Sequence, residues 1–97
     1  MSEPVLSHEP DANRYTLRLG DQIVSVIDYR EAGDTTSFTR TFTLPSHRGA
    51  GHADTLTSFA VADAAARGLK VVPMCWYVAE WFDRHPEHAA LRAGHGA

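Results

Sequence analysis

The chain contains a single cysteine, Cys75, and a single lysine, Lys70. A lone cysteine excludes an internal disulfide framework and fits a reducing compartment, so a cytoplasmic protein is expected. The uncharged apolar runs fall well short of the roughly 20 residues that a membrane span requires. No basic start followed by an apolar core and a small-residue cleavage site is present, so neither a secretory leader nor a membrane partner is expected. Basic charge is scarce too: nine Lys+Arg against twelve Asp+Glu leave a net charge of -3. The arginines are spread from Arg14 to Arg92 without clustering. A nucleic-acid-binding domain normally carries a basic patch or stripe, so no nucleic-acid partner is expected. A small anionic ligand held by a few local donors stays open.

What is present is a globular composition. Hydrophobic residues at 43% and charged residues at 22% exclude a disordered tail or a collagen-like fibre. The 97 residues suffice for one domain, 1–97, that buries roughly 60–65% of its unfolded surface. Its core is expected over about residues 14–92, with 93–97 frayed.

The first half has the period of strands. Val5–His8 is a short candidate, followed by a turn over residues 9–13. Tyr15, Leu17 and Leu19 then alternate with Thr16 and Arg18. Gly20 and Asp21 form a two-residue loop of the kind that closes a hairpin. Gln22–Arg30 is apolar on both faces through Ile23, Val24, Val26, Ile27 and Tyr29, which predicts a central strand. A turn over residues 31–35 contains Gly33 and Asp34. In Ser37–Leu44 the alternation puts Phe38, Arg40, Phe42 and Leu44 on one side, and Pro45 should end the strand. These strands predict an antiparallel meander.

The second half changes period. Ala53, Leu56, Ala60 and Ala64 recur at helical spacing between His52 and Arg67, with Phe59 beside them, and Gly68 stands where a left-handed cap closes a helix. Leu69–Pro73 is a short strand, Tyr77–Arg84 a second helix, and Pro86 opens a further short turn. The order β-β-β-β-α-β-α predicts an α+β fold on a mixed, mainly antiparallel sheet with helices packed on it and one parallel crossover.

The stretch Arg48-Gly49-Ala50-Gly51-His52-Ala53 lies between a strand and a helix start. Two glycines permit a tight turn, and the helix start adds unpaired N–H groups and the positive end of the macrodipole. Together they make a seat for a phosphate or pyrophosphate, with Arg48 as a charged contact. The other reading is a strand-to-helix turn that needs glycine for geometry alone. Neither the Walker loop nor the dinucleotide fingerprint fits the spacing. Cys75 follows Pro73 at the end of a strand, where ligand sites gather in such sheets. Its two readings are a reactive thiolate and a small buried apolar residue. His47 and His52 flank the loop. His85-x-x-His88 has no third partner, so no metal is expected.

Arg48-x-x-Gly51-x-Ala53, after a strand and before a helix, resembles the Arg/Gln-x-x-Gly-x-Gly/Ala signature of the GNAT N-acetyltransferases. Arg67-Gly68-Leu69-Lys70-Val71-Val72-Pro73, then Cys75, Tyr77-Val78-Ala79 and Arg84-His85-Pro86-Glu87, are similar to the small single-domain branch of that family. The resemblance covers about residues 14–92. It implies acetyl-CoA as cosubstrate, with the pyrophosphate on Arg48, Gly49, Ala50, Gly51, His52 and Ala53. The pantetheine arm would pair with Phe42, Thr43 and Leu44, and the thioester would arrive near Met74, Cys75 and Trp76. By the family's pattern, the place of the acid tyrosine falls on Asp83, and Arg40 and Phe42 stand where a His-x-Glu pair is common. Tyr77 is then either the acid or a packing residue, and Cys75 is the candidate catalytic group. Trp76, Trp81 and Phe82 are expected to close the core, or in part to wall the thioester pocket. The chain stops soon after the second helix, short of the last strands of fuller members, so an open acceptor side and a protein or peptide amine are expected. A non-catalytic CoA-binding or protein-interaction module on the same fold is the alternative.

Overall fold

The computed structural model describes residues 3–94. Five strands, β1 (Val5–Glu9), β2 (Arg14–Leu19), β3 (Gln22–Ala32), β4 (Thr35–Thr43) and β5 (Lys70–Pro73), form one sheet in the order β1-β2-β3-β4-β5. The first four are antiparallel neighbours, and β5 runs parallel to β4 after a crossover through helix α1 (His52–Ala66). Helix α2 (Trp76–Arg84) follows β5. This is the expected mixed α+β sheet, with β3 at its centre. Among the described residues no helix is long and apolar enough to cross a membrane.

The turns account for the strand lengths. Gly20 and Gly33 both adopt φ +61° in the left-handed region, where a side chain is strained. The second hairpin therefore closes on Gly33-Asp34 alone, and β3 and β4 run longer than the turn over residues 31–35 allowed. Gly68, at φ +76°, ends α1, with the Leu69 N–H bonded back to the Ala64 carbonyl at 2.9 Å. Ala93 donates to the Val71 carbonyl at 2.7 Å; the rest of the tail expected to fray, 95–97, lies outside the described residues.

One face of the sheet carries the core. Tyr15, Leu17, Ile27, Tyr29 and Phe38 pack beneath Leu56, Ala60, Val61 and Ala64 of α1, with Val78, Trp81 and Phe82 of α2 in the same cluster. The Tyr15 hydroxyl donates to Asp63 Oδ2 on α1 at 2.8 Å, and Arg67 bonds both Asp63 and Glu31. Burial and the Asp63 carboxylate push the Tyr15 pKa up, which keeps it a neutral donor.

The alternation expected in β4 breaks in the middle. Tyr29 pairs with Phe38, but Asp28 pairs with Arg40, so Thr39 is an extra residue, a β-bulge in β4. Phe38 therefore joins the core beside Tyr15, while Arg40 moves to the opposite face with Asp28, 3.3 Å away, and lies over the Phe42 ring. The expected single side of Phe38, Arg40, Phe42 and Leu44 is corrected accordingly. A bulge inserts one residue into a period of two and exchanges the faces beyond it.

At the other edge, Glu9 accepts from Arg18 at 2.7 Å, Arg14 at 2.8 Å and Thr16 at 3.0 Å. Arg18, then Arg14, hold its carboxyl at about 2, against the usual 4.5. A depressed carboxylate contributes stability that is complete above pH 4.5 and lost as pH falls toward 2. Urea unfolding of Glu9→Gln should show a loss of about 1–2 kcal/mol at neutral pH, tempered by solvent screening, and a flatter curve through that acid window. Identical acid limbs in variant and wild type would contradict this assignment.

Candidate functional site

β4 and β5 are paired only as far as Phe38 and Pro73. Beyond that point Cys75 donates its N–H to the Phe38 carbonyl at 3.1 Å, and the two chains part. The bulge decides what faces the gap. Before it, the carbonyls of Asp34 and Phe38 turn toward β5, accepting from Lys70 and Cys75. After it, the Leu44 N–H donates to Val24 on β3 at 2.9 Å, so the alternating residues Thr41 and Thr43 turn to the open side. The Thr43 carbonyl accepts from Arg48 Nε at 3.1 Å, which ties the loop to the strand end.

A cavity of about 480 Å³ occupies the gap. Its wall runs from Thr41, Phe42 and Thr43 through His47, Arg48, Gly49, Gly51, His52 and Ala53 to Cys75, Trp76 and Tyr77. Of the residues expected to hold the cosubstrate, the structure brings Phe42, Thr43, Arg48, Gly49, Gly51, His52 and Ala53 together, and Cys75 with them. It leaves out Leu44, whose N–H is used by Val24, and Ala50, exposed between the two glycines. Thr41 is the lining residue that sequence reasoning missed. Only the bulge turns it toward the opening, and nothing in the repeating Thr-Xaa pattern marks where a bulge falls.

At the loop end, Gly49 and Gly51 take φ +87° and +83°. A Cβ on either would meet nothing within 4 Å, so backbone conformation and not space demands glycine here. Gly51 precedes α1 without a capping side chain, and the first helical bond is from Thr55 to the Gly51 carbonyl at 3.0 Å. The N–H groups of His52, Ala53 and Asp54 thus have no acceptor within the helix, the arrangement that favours an anion. His47 Nδ1 is buried in the same wall without a partner among the described residues, and the His47 and His52 rings stand 6.2 Å apart. A buried polar atom without a partner points to a group that the protein itself does not supply.

At the other end, Cys75 is half-buried in the N-cap position of α2, where the first N–H groups of the helix converge. Burial pushes its thiol up, but the Thr41 hydroxyl and the N–H groups of Tyr77, Val78 and Thr41 outweigh it, and the net shift is downward. Among the described residues no Asp or Glu lines the cavity. Asp54 is turned to His85 Nε2, 3.8 Å away, and Asp83 is exposed beside Arg92, remote from the lining. Tyr77 does line it, with the Arg84 guanidinium over its ring at 5.8 Å. Trp81 and Phe82 are core residues as expected. Trp76 instead opens α2 at 73% exposure on the cavity rim, and Met74, 66% exposed, lies outside the lining. His85 and His88 stack on Trp81, with His85 Nδ1 donating to the Trp81 carbonyl at 2.8 Å.

A family model described as GCN5-related N-acetyl-transferase matches residues 14–91. A search of curated proteins finds no match for the chain.

If the left-handed turns are intrinsic to the loop, Gly49→Ala and Gly51→Ala should each lower stability by about 1–2 kcal/mol without loss of any contact. Chemical unfolding measures this; unchanged midpoints would mean that the loop is free to take another course.

Proposed function

The chain belongs to the GCN5-related N-acetyltransferase family, and from that premise we propose that it is an acetyl-CoA-dependent acetyltransferase acting on a protein or peptide amine. The observation that carries this reading is one cavity with the glycine loop and the start of α1 at one end and Cys75 at the other. The cosubstrate pyrophosphate lies on the backbone of Arg48, Gly49, Ala50, Gly51, His52 and Ala53, with His47 Nδ1 as a further polar contact. The pantetheine arm follows the outward-facing backbone of Thr41 and Thr43, which puts the thioester beside Cys75.

The lining offers no carboxylate as a general base, so the chemistry falls to the cysteine. The Cys75 thiolate attacks the thioester carbonyl; a carbon–sulfur bond to Cys75 forms, and the one to CoA breaks. The electron pair leaves on the CoA sulfur, which takes up the proton that the cysteine had released to water. An acceptor amine then attacks the acetyl-Cys75 carbonyl, the pair returns to the cysteine sulfur, and the amine proton passes to solvent. Tyr77, which lines the cavity, would relay that proton from water to the CoA sulfur. A reactive free thiol suits a reducing compartment, and we place the protein in the cytoplasm. The same lack of a carboxylate favours a second reading, a CoA-binding module without transfer activity.

Calorimetric titration with acetyl-CoA and with CoA should show binding by both, weakened tenfold or more by Gly51→Val. No binding by either at millimolar concentration would end the proposal. Intact-mass spectrometry after acetyl-CoA incubation should show one added acetyl on wild type and none on Cys75→Ala. Binding without that adduct, and without transfer to a panel of peptides, would select the second reading.

A further inference from the structure

The loop end of the cavity has little fixed positive charge for a pyrophosphate diester, which carries two negative charges. Among the described residues, the titratable side chains of the wall are His47 and Arg48 before the glycines, His52 from α1, and Cys75 and Tyr77 from the start of α2. Strand β4 contributes only threonine and phenylalanine to it, and Asp54, the acid next to the loop, is turned to His85 at 3.8 Å. Arg48 is the fixed cation of this wall, and its Nε is committed to the Thr43 carbonyl at 3.1 Å. The backbone N–H groups and one arginine leave part of the anion's charge to an imidazole.

His47 is the better placed of the two histidines. It ends the short turn Pro45–His47, and its N–H donates to the Leu44 carbonyl at 2.9 Å, so a defined backbone carries the ring. No group among the described residues pairs with its Nδ1. Nothing therefore fixes the ring through that nitrogen, and a turn about the Cβ–Cγ bond presents either nitrogen to the cavity. A neutral imidazole has one N–H and an imidazolium has two, so protonating His47 creates a donor for which the wall holds no acceptor. A phosphate oxygen supplies that acceptor. His52 opens α1, where the positive end of the macrodipole opposes a further positive charge. With the two rings 6.2 Å apart, one proton on His47 also opposes a second on His52.

We propose that His47 takes up a proton when the cosubstrate binds and holds its pyrophosphate as an imidazolium. The proposal rests on the reading that CoA occupies this cavity. Arg48, the next residue along, is a like charge that opposes the imidazolium until the anion arrives, which keeps protonation and binding together. The sign of the linkage follows. A ligand that binds with a proton binds more tightly as pH falls through the neutral range and more weakly as pH rises. The loop thereby couples cosubstrate occupancy to pH.

Dephospho-CoA is the probe, because its diester pyrophosphate does not titrate near neutrality, whereas the terminal phosphate that CoA carries on its ribose does. Calorimetry at about pH 7, in buffers of low and of high ionisation enthalpy, reads the protons bound with each ligand. Wild type should take up roughly half a proton or more, and its affinity should fall about tenfold between roughly pH 6 and 8. His47→Asn keeps a polar side chain that cannot titrate; it should take up almost no proton and show a level affinity across that range. His52→Asn should behave as wild type does. If His47→Asn fails to fold, proton–nitrogen correlation spectra of the wild-type imidazoles, with and without ligand, read the same proton on the His47 ring. Binding without proton uptake, uptake that survives His47→Asn, or a proton that appears on His52 overturns the proposal and leaves cosubstrate binding standing. Uptake with CoA and none with dephospho-CoA overturns it as well, because the proton then belongs to the ribose phosphate. Absence of binding by either ligand removes the acetyl-CoA reading, and this proposal with it.

Discussion

The functional geometry depends on one constraint, the parting of β4 and β5 beyond Phe38 and Pro73, just where the extra residue at Thr39 exchanges the sides of β4. A regular β4 would keep turning the same alternate residues to that side, so Arg40 and Phe42 rather than Thr41 and Thr43 would face the gap. The bulge spends one residue on a bend, exchanges the two faces, and releases Thr41 and Thr43 toward the gap. The tie between Arg48 and the Thr43 carbonyl and the presence of Thr41 and Thr43 in the cavity wall both follow from that exchange.

The two ends of the cavity use the same physical device. Each is the start of a helix whose first N–H groups lack acceptors, with α1 behind the glycine loop and α2 behind Cys75. One start suits a bound anion and the other suits a thiolate, which is a covalently attached anion. A site made of backbone donors needs few charged side chains. Such a site would let a chain with a net charge of -3 and scattered arginines hold the strongly anionic cosubstrate proposed for it.

Much of the fold was legible because its signals are local. The alternation of Tyr15, Leu17 and Leu19, the hairpin glycines, and the helical spacing of Leu56, Ala60 and Ala64 each report on a few neighbouring residues. Arg48-x-x-Gly51-x-Ala53 marked the loop for the same reason. The bulge was not legible. Thr39 sits in an unbroken run of threonines alternating with Phe and Arg, and its extra place exists only relative to Asp28 and Tyr29 on the partner strand. The misassigned face of Arg40 and the absence of Thr41 from the expected cavity wall share that cause. For Trp76 the sequence left burial in the core and a place in the pocket wall both open, and its position at the first turn of α2 selects the wall.

The central claim is that the opening between β4 and β5 is where the cosubstrate sits, and amide chemical-shift mapping during titration with CoA tests it most directly. The account predicts the largest changes at Gly49, Gly51, His52 and Ala53, with Thr41, Thr43 and Tyr77 next and β1 unaffected. Shifts concentrated on β1 and β2, or none at saturating CoA, would contradict it.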